Sequence, residues 1–178
     1  GFNFRDTALI SRPEVTEQAL ADFLDILLRV PLAEAQSSLT AMMDSAAVDS
    51  AMYAHFMKLS GKYLYEPNSP FRNEEYYIPV LHHVIASSRL GEPDKARAKF
   101  RLDMALKNRP GDVAADFAYT LADGTSGSLR QIKSSYTLLF FNSPDCEDCR
   151  RVKDYMAASE HLAGMTGEGS ARRPRLVI

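Results

Sequence analysis

Tyr136-Thr137-Leu138-Leu139-Phe140-Phe141-Asn142-Ser143-Pro144-Asp145-Cys146-Glu147-Asp148-Cys149-Arg150-Arg151 decides how this chain is read. Its first six residues are strand formers. Thr137 to Phe141 is nearly all apolar, as expected for a strand covered on both faces. Asn142-Ser143-Pro144 breaks that strand. A helical pattern follows, with Cys146 and Cys149 at its head, and these are the only cysteines in the chain. Exposed N–H groups and the macrodipole at a helix N-terminus stabilise negative charge. A strand that delivers a thiol there is therefore a device for making a thiolate. Two cysteines are too few for a disulfide scaffold or a four-cysteine zinc site, so a redox pair is the leading reading. Cys146 lies nearest the helix start and is the expected attacking thiol. Cys149, one turn later, is the expected resolving thiol.

Residues upstream extend the pattern. Phe117, Tyr119 and Leu121 alternate as in a strand, and Asp123-Gly124 marks a turn that Thr125-Ser126-Gly127 prolongs. Ser128 can cap a short turn over Leu129 to Lys133. From about Asp112 to Ile178 the chain resembles the thioredoxin-like superfamily. It is most similar to the branch of thiol:disulfide interchange proteins and alkyl hydroperoxide reductase-type domains. Asp116 to Gly124 is similar to that branch's first strand and turn, Ser128 to Lys133 to its short helical segment, and Leu138 to Cys149 to its strand and redox motif. The resemblance implies a thiol:disulfide oxidoreductase that reduces disulfides of exported proteins and draws electrons from an upstream dithiol donor.

The motif departs from the family's common pattern. Asp145 stands where an aromatic residue is common, and Asp148 where proline is common, with Glu147 between them. Three carboxylates oppose a nearby thiolate, and Arg150 and Arg151 partly offset them. The pair is therefore expected to act as a reductant rather than a strong oxidant. The resembled fold continues with further strands, a helix and a cis-proline loop. Leu176-Val177-Ile178 starts another buried strand, and there the sequence given stops. The expectation is a fragment of a longer protein, with a degenerate domain as the alternative. Either would give little turnover and self-association through an unpaired sheet edge.

The first part of the chain is helical. Ser11-Arg12-Pro13-Glu14 reads as a capping box. Val15, Ala19, Leu20, Phe23, Ile26, Leu27 and Val30 then recur at helical spacing. Residues 1–10 show no period and are expected to form a loosely held arm. Pro31 suits the first position of a second helix, carrying Leu32, Ala35, Leu39, Met42, Met43 and Ala46. Val48, Met52, Phe56, Leu59 and Tyr63 supply a third stripe, with the break near Asp44-Ser45. Asn73 can cap a fourth helix with Glu74 and Glu75 in its first turn, while Pro79 requires a late start or a kink. Pro93 opens a fifth, whose expected buried side is Ala96, Phe100 and Met104. Lys95 to Arg101 is expected to be a solvated basic flank, and Asn108 to Gly111 stops the helix. After the cysteines, Val152, Tyr155, Met156, Ser159 and Leu162 mark one helix side, and Gly164 to Arg175 reads as a loop.

The fold class is therefore α+β: an all-α bundle of about five helices over residues 1–110, then a partial thioredoxin-like α/β domain over 111–178. Tyr63 to Glu74 is similar to helical domains of unknown function that precede thioredoxin-like domains in exported bacterial proteins. That resemblance implies a periplasmic setting, free or membrane-anchored. The chain has 178 residues, 46% hydrophobic and 25% charged, with a net charge of −2. Nothing in that balance favours nucleic acid or an anionic membrane. The longest apolar run falls far short of the roughly 20 residues of a membrane span. His55, His82, His83 and His161 are assigned to packing or surface roles, since adjacent His82 and His83 point about 100° apart on a helix. Met42 and Met43 read as core filler. No cofactor or metal site is expected. The competing function is a partner-binding bundle that a non-catalytic thioredoxin-like part merely supports.

Overall fold

Pro13 fixes the first backbone angle of helix α1 (Pro13–Leu27), and the spacing behind it buries Thr16, Leu20, Leu24 and Leu27 on one side. The computed structural model describes residues 1–109, 111–121, 123–134, 136–143 and 145–166. It divides into two compact units, Gly1–Ala114 and Ala115–Ile178.

In the first unit, the entry differs from the expected capping box. Asp6 accepts the Ala8 N–H at 3.2 Å and starts a short 3₁₀ turn, Thr7–Ser11. Ser11 is used in that turn, so Arg12 occupies the N-cap of α1 and Glu14 instead takes the Arg12 Nε at 3.0 Å. Residues before the turn are anchored, not loose. The rings of Phe2 and Phe4 lie 5.3 and 5.0 Å from that of Phe56, a separation at which aromatic edges and faces attract. Ile26, assigned to the buried stripe by spacing, is exposed.

Helices α2 (Leu32–Ala46) and α3 (Ser50–Leu64) follow, with Pro31 as the N-cap of α2 rather than its first residue. Their junction lies over residues 47–49, later than Asp44-Ser45. Asp49 sets it by accepting the N–H groups of Ala51 and Met52 at 2.8 and 2.9 Å. Val48 consequently falls outside the stripe and is exposed, while Tyr53 enters the core.

Helix α4 (Glu74–Ala86) packs chiefly on α2 and on α5 (Glu92–Ala105). It buries Tyr76, Tyr77, Ile78, Val80, Leu81 and Val84, almost all around its circumference. Asn73 caps it, accepting the Tyr76 N–H at 3.2 Å. The helix runs through Pro79. Proline has no N–H, so the Glu75 carbonyl loses its intrahelical donor. Gln36 of α2 supplies one, Nε2 to Glu75 O at 3.0 Å. Gln36→Leu is expected to cost about 1 kcal/mol by orphaning that carbonyl. In a Pro79→Ala background the cost should shrink, because alanine brings back the missing N–H donor. Urea unfolding of the four proteins measures this; equal costs in both backgrounds would refute the compensation.

Helix α5 turns a different face inward from the one expected. Ala98, Leu102 and Ala105 are buried, whereas Phe100 is 61% exposed and Ala96 and Met104 face outward. Small alanines allow close approach to α4. Arg101, expected in a solvated flank, lies half-buried with its guanidinium 4.3 Å from the Tyr65 ring centre. Its Nη1 donates to the Tyr77 hydroxyl at 2.9 Å. Just past α5, Asn108 takes the left-handed conformation (φ 55°), as asparagine does at helix ends. Arg109 then grips Glu75 through two 2.7 Å hydrogen bonds, joining the end of α5 to the start of α4.

In the second unit, β1 (Ala118–Thr120) pairs antiparallel with β2 (Ser126–Ser128), with Tyr119 opposite Gly127. Gly124 (φ 85°) makes the turn, and Asp123 accepts the Thr125 N–H at 2.9 Å. Ser126 and Gly127, expected in a prolonged turn, are strand residues. A Cβ on Gly127 would lie 2.7 Å from the Tyr119 hydroxyl oxygen, so the missing side chain is what lets that ring lie across the strand. A 3₁₀ turn, Leu129–Gln131, follows, shorter than expected; Gln131 Oε1 accepts the Ser128 N–H at 2.9 Å.

Tyr136 to Phe141 departs most from expectation. Leu139 alone makes a bridge, and Tyr136, Leu138 and Phe141 are exposed, Phe141 by 81%. A strand is covered on both faces only inside a sheet with layers packed above and below it, and among the described residues the one sheet is the β1–β2 pair. Beyond it come α6 (Glu147–Ala157) and α7 (Glu160–Thr166). They form two helices where one was expected, because Ser159 interrupts the run and its Oγ accepts the Leu162 N–H at 3.4 Å. Val152 and Tyr155, two residues of the expected apolar side, are exposed. The loop expected from Gly164 begins within α7. Its remainder and the strand expected at Leu176 to Ile178 lie outside the described residues.

A candidate redox site at the start of helix α6

Cys146 is the N-cap of α6. Its backbone is extended (φ −90°, ψ 109°), its carbonyl accepts the Arg150 N–H at 3.1 Å, and its own N–H donates to the Ser143 carbonyl at 3.2 Å. The sulfur does what a capping oxygen usually does: Sγ accepts the Cys149 N–H at 3.1 Å. In the reduced protein the same Cys149 N–H would face a thiolate, a contact that favours the charged form. Cys149 is one turn on, with its Cα 5.2 Å from that of Cys146, and the two sulfurs form a disulfide. Both cysteines are half-buried, which leaves the pair partly open to an incoming molecule. Both predicted site residues are therefore brought together at a helix tip.

The acidic surround is also as the sequence reading describes it. Asp145, Glu147 and Asp148 are exposed beside the pair. Glu147 and Asp148 suit the positive end of the helix but disfavour a thiolate between them. Arg151 pairs with Asp148 and removes part of that penalty.

Residues 1–108 match a domain of unknown function, DUF5106, which is more than half of the chain. The chain belongs to the DUF5106 family. It is also similar, over both units, to a solved thioredoxin-like protein from Bacteroides caccae ATCC 43185, with 45% identity and a TM-score of 0.86. The likeness covers 93% of this chain and 60% of that one. No curated protein matches. The DUF5106 bundle is thus followed by a partial thioredoxin-like α/β unit.

The DUF5106 bundle holds two polar networks that spacing along the chain could not reveal. His83 places Nε2 3.0 Å from Asp44 Oδ1 and Nδ1 2.8 Å from the Tyr53 hydroxyl. The order carboxylate, imidazole, hydroxyl resembles a catalytic relay, but Tyr53 is fully buried and no substrate can reach it. The network ties α2, α3 and α4 together. In the second, Thr16 Oγ1 lies 3.5 Å from the Arg12 carbonyl, to which it donates, and so accepts from His55 Nε2 at 3.0 Å. Among the described residues no group of metal-ligating side chains occurs, and no helix is long and apolar enough to cross a membrane.

Burial pushes the His55 value below the usual 6.5, with Lys58 adding to the effect and Glu17 opposing it. A base that is harder to protonate when folded contributes its full stability above 6.5, and that contribution is lost as pH falls. The melting temperature should therefore drop as pH falls from about 7 through 6.5. His55→Gln, which keeps a donor for Thr16, should flatten this slope. Glu17 and Glu75 are held low by hydrogen bonds from Lys62 and Arg109, so their contributions are lost in the acid range below. A His55→Gln protein with an unchanged slope between those two pH values would show that another group controls it.

Proposed function

We propose that this protein is a thiol:disulfide oxidoreductase, with residues 111–178 carrying the redox pair and the bundle of residues 1–110 positioning the substrate protein. One observation supports the reading above others: a solvent-accessible Cys146–Cys149 pair caps the first turn of α6. In the reduced form, the Cys146 thiolate attacks one sulfur of a substrate disulfide. A mixed disulfide forms, and the other substrate sulfur leaves as a thiolate. Cys149 then attacks Cys146 Sγ, the substrate leaves fully reduced, and the Cys146–Cys149 disulfide remains. Two electrons have passed to the substrate. An upstream dithiol restores the pair by the same exchange in reverse.

The carboxylates at 145, 147 and 148 favour a reducing role over an oxidising one. Thiol titration tests that part, and a Cys146 value well below about 6 would overturn it. An oxidising compartment outside the cytoplasm, with the protein free in the periplasm or anchored facing it, suits a pair that reduces exported proteins. The exposed Tyr136, Leu138 and Phe141 support self-association of this chain through that segment, and light scattering that shows a monomer at all concentrations would contradict it. Insulin reduction tests the central claim. It should be slow for this chain, faster for any longer form the gene encodes, and lost in both on Cys146→Ser. Equal rates with and without that sulfur would remove the claim.

A further inference from the structure

Helix α6 opens Glu147-Asp148-Cys149-Arg150-Arg151-Val152-Lys153, so three cations stand in its first two turns, where the macrodipole disfavours positive charge. Two of them have acids to answer them. Arg151 pairs with Asp148. Arg150 has Glu147 three residues before it and Asp154 four residues after it. Lys153 has neither: its neighbours three and four residues away are Cys149, Arg150, Met156 and Ala157. No hydrogen bond or ion pair joins it to a carboxylate among the described residues, yet it is half-buried. The element packed on α6 is α7, whose titratable groups, Glu160 and His161, are both exposed and neither bonded to Lys153. Four residues along a helix bring Lys153 onto the Cys149 side. Helical side chains lean back toward the N-terminus, so a lysine there reaches over the turn that holds Cys149.

We propose that Lys153 is the positioning residue of the resolving step, its ammonium group holding the Cys149 sulfur as a thiolate once Cys146 is tied to a substrate. This rests on the disulfide exchange described above and names the group that drives its second half. In that half the Cys149 thiol gives its proton to solvent, and its electron pair forms the bond to Cys146 Sγ. The bond between Cys146 and the substrate breaks, and the substrate sulfur leaves with the bonding pair and takes a proton from water. Lys153 keeps its own proton throughout and balances the charge on sulfur. It also offsets the carboxylates of Asp145 and Glu147, which disfavour that charge. The bland alternative is a lysine stem that merely covers Met156 one turn on.

The probe is dithiodipyridine, an uncharged disulfide with an absorbing product, mixed in equimolar amount with the reduced whole chain in a stopped-flow instrument. Attack by Cys146 releases the first thiopyridone at a rate set by concentration. Closure by Cys149 releases the second at a rate independent of it. Lys153→Met keeps the stem and loses the charge. An opposite charge nearby gives a thiol about tenfold more thiolate, and the lower basicity takes back about threefold in reactivity. Lys153→Met should therefore slow the second phase about threefold near pH 7, and the gap should close as pH rises toward about 9. The first phase should stay within about twofold of the parent. Lys153→Arg should restore the second phase, and Lys153→Gln should repeat the slowing. A second phase left unchanged in folded Lys153→Met and Lys153→Gln, slowed equally at every pH, or not restored by arginine would overturn this proposal and leave the redox reading standing. A parent chain with no first phase would overturn both.

Discussion

Leu39→Ala should lower the stability of the helical unit by about 3 kcal/mol, and Phe100→Ala should change it by no more than about 0.5 kcal/mol. The chemistry removed is larger at Phe100, so the contrast rests on location alone. Leu39 is fully buried in the middle of α2, the helix that packs against the central α4. Its truncation loses transfer free energy and leaves a cavity that rigid helical backbones cannot close. Phe100 is 61% exposed on α5 and loses little on truncation. Urea unfolding or calorimetry reads both; at this size the Leu39 change corresponds to a melting-temperature drop on the order of 10 °C. A larger loss at Phe100 than at Leu39 would mean that α5 is rotated from the position described.

The second large effect is an asymmetry between the two cysteines. Cys149→Ser should accumulate mixed disulfides with substrate proteins, because Cys146 can attack but nothing nearby can resolve the product. Cys146→Ser should form far fewer, since the remaining thiol sits in the first turn of α6 and lacks the capping position that receives the Cys149 N–H. The difference in reduction rate between Cys146→Ser and the parent should exceed about a hundredfold, a thiolate attack having no substitute in a serine hydroxyl. Non-reducing gels after alkylation show the adducts directly. Comparable adducts from both variants would assign the roles the other way round or to neither.

Much of this architecture was written in local spacing. The stripes through Leu20, Leu39, Phe56 and Val84 located four helices, and the Asn73 cap and the Pro31 and Gly91-Glu92-Pro93 boundaries fell within a residue of their places. Cys146 was legible as a helix-tip sulfur because a breaker stands directly ahead of a helical pattern there, although the strand expected before it is reduced to a bridge at Leu139. What spacing could not supply was anything decided by a partner remote in sequence. Pro79 is tolerated because of Gln36, on another helix. The inward face of α5 is set by alanines and by Arg101 lying on Tyr65, whereas the large apolar residues Phe100 and Met104 pointed elsewhere. Ser126-Gly127 carry turn chemistry in sequence, and what makes them strand is the Tyr119 ring lying over the glycine. The bare N-terminal arm gave no period because aromatic clustering at Phe2, Phe4 and Phe56 needs none.

The sulfur that accepts the Cys149 amide proton is also the atom proposed to exchange bonds. Secondary structure and electron affinity thus share one atom, and each must bias the other to the same extent. A substitution that firms the opening coil of α6 without touching either cysteine should shift the midpoint potential. Conversely, oxidant titrations followed by far-ultraviolet dichroism should report a change in helix content as well as in thiol count.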